Sequence, residues 1–140
     1  MRKVLSAVTV AMLAWATPAL AQLAPANDLG VALGHIHVTV KDVEAQKRFW
    51  TEMLGGKLVT NGQLTLVQFP GIFVMLRQAD TAEPSAGSVF DHFGFVYKDI
   101  AGARARWKAA GVKYDVGDVN PNQGYVYAPG DAIRVEVFGD

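Results

Sequence analysis

The chain repeats one segment, and the two copies lie 57 residues apart. The first copy runs from His35 to Trp50 and the second from His92 to Trp107. Each copy begins with histidine, has Lys-Asp six and seven residues later, and ends at tryptophan. A duplicated unit restricts the chain to folds made of two similar modules.

The ends of the two copies also align, because residues 71–76 match residues 132–137 in their apolar pattern. This alignment places Met75 of the first copy opposite Glu136 of the second. The repeat therefore offers His35, His92 and Glu136 at corresponding places. Two histidines and one carboxylate are a ligand set that binds divalent metal ions and leaves coordination positions open.

The first residues have the pattern of a secretory signal peptide. A basic start at residues 1–3 is followed by an apolar run at 4–15 and by small residues at 18–21. That run is too short for a transmembrane helix. We expect cleavage after residue 21, a secreted and periplasmic mature protein with no membrane attachment, and a flexible arm at residues 22–30.

Composition excludes several classes of function. The chain has no cysteine, which excludes disulfides, thiolate metal sites and cysteine nucleophiles. Its formal net charge is zero, and loss of Arg2 and Lys3 with the signal peptide would leave 11 basic against 13 acidic side chains, from 13 of each. A surface with this balance gives no reason to expect nucleic acid as a partner.

Residue patterns predict one strand, one helix and three further strands in the first copy. Residues 35–40 alternate apolar and polar, as in a strand. Asp42 is a favourable helix N-cap, and the helix is expected to end at Gly55-Gly56. Three short strands follow, separated by the turn dipeptides Asn61-Gly62 and Pro70-Gly71, and they are expected at 57–60, 63–69 and 72–78.

The second copy repeats this order after a linker at residues 80–89. Its strands are expected at 91–97, 112–116, 124–128 and 132–138, with a helix from Asp99 through Trp107 to Gly111. We predict an α+β domain over residues 31–140. It consists of two tandem βαβββ modules, 31–79 and 90–140, which form a curved, cup-shaped sheet with helices on the outside.

Charged residues are expected on the face of each sheet that the helix does not cover. Arg134 and Glu136 share one side of the last strand, and Phe73, Met75 and Arg77 share the corresponding side in the first module. Charges on the concave face are costly to desolvate unless they are paired, and a divalent cation would pair with them.

The motifs carry a family resemblance. Gly34-His35-x6-Asp42, then Phe49-Trp50-x3-Leu54-Gly55, and finally Pro129-Gly130-Asp131-x4-Glu136 resemble the vicinal oxygen chelate superfamily. This superfamily includes glyoxalase I, extradiol dioxygenases, methylmalonyl-CoA epimerase, fosfomycin-resistance enzymes and bleomycin-resistance proteins. The resemblance implies paired βαβββ modules and a divalent metal that chelates two oxygens of a small-molecule substrate.

The resemblance also implies which residues form the site. The metal ligands would be His35, His92 and Glu136, while Met75 stands where glyoxalases and epimerases have Glu or Gln. Dioxygenases of the superfamily use the remaining three positions, so Fe2+ is the first expectation and Mn2+, Zn2+ or Ni2+ are alternatives. The remaining candidates are Tyr125, Tyr127 and His37 for catalysis, and Arg77, Arg134, Met75 and Phe73 for substrate binding.

Several alternatives stay open at this point. A homodimer is expected by analogy with the family. The main rival function is a metal-free small-molecule binder of the bleomycin-resistance type, and a degenerate relative with neither role is a third. His37 is either a substrate contact or an exposed polar residue. Arg77 and Arg134 either bind a substrate carboxylate, pair with Glu136 or lie at the rim of the cup.

Overall fold

A computed structural model describes residues 25–139, except for the side chain of Asn61. The expected signal peptide at 1–21 lies outside the described residues, as does the beginning of the expected arm. Residues 25–34 form a turn and irregular backbone without a helix or strand. In the described range, no helix combines the length and apolar character needed to cross a membrane.

The first module has the predicted order of elements. They are β1 (His35–Val40), α1 (Val43–Arg48), a π-helical turn (Phe49–Met53), β2 (Lys57–Asn61), β3 (Leu64–Phe69) and β4 (Ile72–Gln78). Asp42 caps α1 as expected, since its Oδ1 accepts a hydrogen bond from Ala45 N at 2.8 Å. Gly55, with φ of 79°, follows the end of the helix.

The second module repeats this order. Its elements are β5 (His92–Tyr97), α2 (Ile100–Ala109), β6 (Tyr114–Val116), β7 (Gln123–Tyr127), a 3-10 turn (Pro129–Asp131) and β8 (Arg134–Gly139). Asp99 caps α2 through a bond of 2.8 Å from Gly102 N. The predicted bounds of β1 and β4 are confirmed, and the other strand and helix ends differ from the predicted ones by at most two residues, because terminal hydrogen bonds are not encoded in the apolar pattern.

Each module forms its own four-stranded sheet. The orders are β1-β4-β3-β2 (sheet A) and β5-β8-β7-β6 (sheet B), with the first pair of each sheet parallel and the others antiparallel. The register also repeats, because His37 lies opposite Met75 where Gly94 lies opposite Glu136. The predicted α+β class and the alignment of Met75 with Glu136 are confirmed.

The two modules share one hydrophobic core through the faces that carry the helices. Trp50 and Trp107 are fully buried in it. Trp50 stacks on Phe93 of the other module, with ring centroids 5.7 Å apart, and Phe69 of sheet A lies 4.7 Å from Phe95 of sheet B. Since side chains alternate along a strand, the opposite face of each sheet turns away from this core.

Hydrogen bonds also join the two modules. Trp107 Nε1 donates to Met53 O at 3.0 Å. The buried Gln46 accepts from Trp50 Nε1 at 3.0 Å and donates to Pro129 O at 3.3 Å. Both tryptophans therefore contact the other module as well as their own.

We predict that Gln46→Leu lowers the free energy of unfolding by about 1–3 kcal/mol, because Trp50 Nε1 would lose its partner inside the core and Pro129 O would lose its bond to the other module. Urea denaturation measures the change. Gln63→Leu, in an exposed turn, is the matched control. Equal stability of the two variants would show that the bonds of Gln46 do not hold the modules together.

Candidate metal site

His92 and Glu136 form a close pair on the face of sheet B that turns away from the core. His92 Nε2 lies 3.3 Å from Glu136 Oε2, and the side chains are 33% and 15% exposed. Gly94 lies beside Glu136 on the neighbouring strand. Since glycine has no side chain, nothing from this position of β5 covers the carboxylate.

The second polar atom of each side chain, His92 Nδ1 and Glu136 Oε1, has its own hydrogen-bond partner. His92 Nδ1 lies 2.7 Å from Asp91 Oδ1, and Gln123 Nε2 donates to Glu136 Oε1 at 2.6 Å. His92 Nε2 and Glu136 Oε2 therefore face each other. A proton or a metal ion between them would satisfy both, and 3.3 Å suits two ligands that each bind one ion at about 2.0–2.2 Å.

Arg134 pairs with Asp91 rather than with Glu136. Its Nη2 contacts Asp91 Oδ1, and its guanidinium lies 4.5 Å from the centre of the Tyr125 ring. The alternative in which Arg134 pairs with Glu136 is therefore wrong. The reason is the register, which places Arg134 directly across from His92 and next to the residue that precedes β5.

Tyr125 is the tyrosine next to the pair. It lies across from Glu136, and its ring is nearly perpendicular to the His92 ring, with centroids 5.3 Å apart. Burial, followed by the charge of Glu136, raises the pKa of Tyr125 above its usual value of 10.0. Its phenol is thus protonated at neutral pH and able to donate a hydrogen bond.

Tyr127 is engaged elsewhere. Its hydroxyl donates to Asp115 Oδ2 at 2.5 Å, and Lys113 Nζ lies 4.3 Å from the centre of its ring. The hydrogen bond to Asp115, with burial as the next cause, raises the pKa of Tyr127 to about 12. Between the two predicted tyrosines, only Tyr125 lies beside the His92–Glu136 pair.

The first module presents its candidates on the corresponding face of sheet A. His35 lies across from Phe73, His37 across from Met75, and Thr39 across from Arg77. Both histidines and Arg77 are exposed, while Met75 is half-buried. The prediction that Phe73, Met75 and Arg77 share one side of β4 is consistent with this register.

The predicted ligands do not meet within one chain. Over residues 25–139, no group of three His, Cys, Asp or Glu side chains is placed to hold an ion. The prediction that His35, His92 and Glu136 lie within reach of one ion is therefore wrong for a single chain. The reason is the shared core, since both outward faces turn away from it.

Two cavities are relevant to ligand binding. One of about 300 Å³ lies between β1 and β5, and both His37 and His92 line it. The other, of about 470 Å³, lies between α1 and the turn that follows α2, and its lining includes Arg48, Glu52 and Lys113. The larger cavity contains none of the predicted metal ligands. The smaller cavity contains His92, so it is the candidate for ligand binding at the His92–Glu136 pair.

Sequence reasoning missed Asp91 and Gln123. Asp91 had a usable signal, because the repeat aligns it with Gly34, so that only the second copy has a carboxylate before its histidine. Gln123 had no comparable signal. Its role depends on the register of β7 against β8 and on the direction of its side chain.

We predict that Asp115→Asn lowers the pKa of Tyr127 from about 12 towards its usual 10.0, because the variant weakens the hydrogen bond that holds the phenol proton and removes a negative charge that disfavours the phenolate. Phenolate absorbance as a function of pH measures this, with Tyr127→Phe used to assign the transition. Asp118→Asn, in the exposed turn that follows β6, is the control. An unchanged titration in Asp115→Asn would contradict the assigned hydrogen bond.

Comparisons with solved structures show the same fold. The oxidase ChaP-H2 is 22% identical with a TM-score of 0.64, and the comparison covers 79% of this chain and 94% of that one. A possible glyoxalase from Bacillus cereus is 23% identical with a TM-score of 0.64, covering 77% and 98%. The fosfomycin resistance protein FosX from Listeria monocytogenes is 18% identical with a TM-score of 0.62, covering 79% and 91%.

A search of curated proteins found no match. The sequence model of the Glyoxalase/Bleomycin resistance protein/Dioxygenase superfamily matches residues 32–137, which cover nearly all of both βαβββ modules and all the predicted ligands. Together with the two curved four-stranded sheets and the three structural relatives, this match shows that the chain belongs to the glyoxalase, bleomycin resistance and dioxygenase superfamily.

Proposed function

We propose that this protein is a secreted, divalent-metal-dependent enzyme that acts on a small oxygen-chelating molecule. The observation that carries the proposal is the 3.3 Å approach of His92 Nε2 to Glu136 Oε2 on the outward face of sheet B. His35 of a second copy completes the ligand set. A divalent ion bound by these three residues supplies Lewis-acid chemistry and open positions for substrate oxygens.

A homodimer accounts for the separation of the candidates in one chain. If sheet A of one copy faces sheet B of the other, a two-fold axis creates two equal sites, each with His35 from one chain and His92 and Glu136 from the other. The edges of β1 and β5 carry no strand partner among the described residues. Such edges favour association with a further strand or chain.

Exposed apolar side chains on the outward faces support this assembly. Val96 on β5 is 72% exposed and Leu64 on β3 is 45% exposed, and Phe90 just before β5 is 58% exposed. Val96 shares the side of β5 that carries His92. Large exposed apolar side chains on the outward faces of both sheets are typical of surfaces that a partner covers.

In this assembly the two sheets supply different substrate contacts. Tyr125 donates a hydrogen bond to a substrate oxygen near the ion, since its raised pKa keeps the phenol protonated. Phe73 and Met75 give the opposite wall apolar character. Arg77 is the cation available to a substrate anion, because Arg134 is already paired with Asp91 and stacked on Tyr125.

The reaction is dioxygenase-like or lyase/isomerase-like. Nitrogen and oxygen ligands discriminate weakly among first-row metals, so Fe2+ is proposed first, with Mn2+, Zn2+ or Ni2+ as alternatives. Export to the periplasm rests on the signal-peptide pattern of residues 1–21. Amino-terminal sequencing of protein from a periplasmic extract tests it, with Gln22 as the expected first residue.

We predict that His35→Ala and His92→Ala each lose most of the bound metal, and that co-expression of the two restores part of it. In a mixed dimer, one site receives intact His92 and Glu136 from one chain and intact His35 from the other. Random pairing should give about a quarter of the wild-type sites, measured as metal per chain after purification.

His37→Ala is the matched control for metal content, because it lies on the same strand but outside the proposed ligand set. Equal metal loss in His37→Ala and His35→Ala would mean that the wrong histidine of β1 is assigned. No recovery on mixing, or a monomer by light scattering, would contradict a shared site. Wild-type protein without metal affinity that binds a small molecule would support the metal-free alternative.

We predict that Met75→Glu strengthens zinc or nickel binding at least several-fold, because a carboxylate at this position supplies a fourth donor where a thioether has little affinity for these ions. The measurement is a competitive titration against a chelator. Leu58→Glu, on the other side of sheet A, is the control. Unchanged affinity in Met75→Glu, or preference of the wild type for copper, would show that Met75 does not stand at a ligand position.

A further inference from the structure

We propose that Asp91 is a positioning residue, whose carboxylate fixes the His92 ring so that Nε2 points at Glu136. Asp91 Oδ1 lies 2.7 Å from His92 Nδ1, whereas Glu136 Oε2 lies 3.3 Å from Nε2. The shorter contact is the stronger hydrogen bond, so the single proton of a neutral imidazole belongs on Nδ1. The lone pair of Nε2 is then directed at the ion site, and this link to metal rests on the proposed function.

The carboxylate of Asp91 is itself held from several directions. Gly87 N donates to Asp91 Oδ2 at 2.5 Å, and Arg134 Nη2 contacts Oδ1. Ser85 Oγ donates to the backbone oxygen of Asp91 at 2.8 Å, and Ser85 N donates to Ala132 O at 2.9 Å. The segment between the modules is thereby fastened to the residues before β8, and it places Asp91 at the start of β5.

Arg134 links the carboxylate of Asp91 to Tyr125, the proposed substrate contact. Its backbone N donates to Ser85 Oγ at 3.1 Å, and its guanidinium stacks over Tyr125 while it contacts Asp91. The positive charge of Arg134 balances the carboxylate of Asp91, which would otherwise stand close to Glu136 and repel it. One ion pair therefore orients both the histidine and the tyrosine next to it.

In the repeat, only the second copy has a carboxylate that can hold its histidine. Gly34 occupies the place of Asp91 before His35, and it has no side chain that could hold an imidazole. His35 is exposed, while His92 is half-buried and fixed. The second module thus presents two ligands that already face each other, and the first contributes an exposed histidine. Partners of ligand histidines typically tune metal affinity by orientation and basicity.

Asp91→Leu and Asp91→Asn separate the positioning role from bulk stability. In metal-free protein at alkaline pH, where imidazole is neutral, nitrogen-detected NMR of the ring should show His92 protonated at Nδ1. Asp91→Leu should move that proton to Nε2, where Glu136 accepts it. Asp91→Asn should keep it on Nδ1, because the amide oxygen still accepts the hydrogen bond.

Zinc affinity gives the second readout. Asp91→Leu should weaken zinc binding about 10–100-fold and Asp91→Asn by less, as loss of a histidine partner does in other metal sites. Asp80→Leu, an exposed carboxylate in the same inter-module segment, should bind as the wild type does. Thermal unfolding of each variant shows whether it is folded.

The ring NMR tests the positioning role, and the zinc affinity of the wild type tests the proposed function. A wild-type protein without zinc affinity would refute the proposed function, yet the ring NMR would still test the orientation of His92. Protonation at Nε2 in the wild type, or the same tautomer in Asp91→Leu, would overturn the positioning role. Wild-type zinc affinity in a folded Asp91→Leu variant would show that the orientation has no effect on the ion.

Discussion

The packing of the two helix-bearing faces against each other is the constraint on which the rest of the molecule depends. Trp50 stacks on Phe93 across the module boundary, and Trp107 donates a hydrogen bond to Met53 O in the other module. Burial of these large aromatic surfaces is a strong driving force for a chain that lacks cysteine. Because one face of each sheet is used for this core, the other face of each sheet is left for ligands or a second copy.

The duplicated unit is symmetric in its fold and asymmetric in its chemistry. Both modules have a capped helix and the same strand order, but only the second brings a histidine and a carboxylate together at 3.3 Å. Three substitutions between the copies account for the difference: Asp91 in place of Gly34, Gly94 in place of His37, and Glu136 in place of Met75. A dimer that joins unlike faces would combine the fixed pair of one module with the exposed histidine of the other.

Local signals in the sequence were sufficient for most of the fold. The alternation at His35–Val40 predicted β1, and the caps Asp42 and Asp99 predicted the start of both helices. These features depend on residues that are close in sequence, so their spacing can be read from the sequence alone. The partners of Gln123 and Arg134 could not be read in this way, because both lie across strands and their side-chain directions follow from packing.

The sequence by itself determined the two βαβββ modules, the matched positions of His35 and His92, and the placement of Glu136 where the first module has Met75. These follow from periodicity and from the repeat, which are local or directly comparable properties of the chain. Only the tertiary structure decided that the modules pack through their helix-bearing faces, that Asp91 holds His92, and that His35 stands apart from the pair in one chain. The physical reason is that apolar periodicity specifies which face of a sheet is buried but not which other surface buries it, so the relation between two modules depends on the packing of side chains distant in sequence.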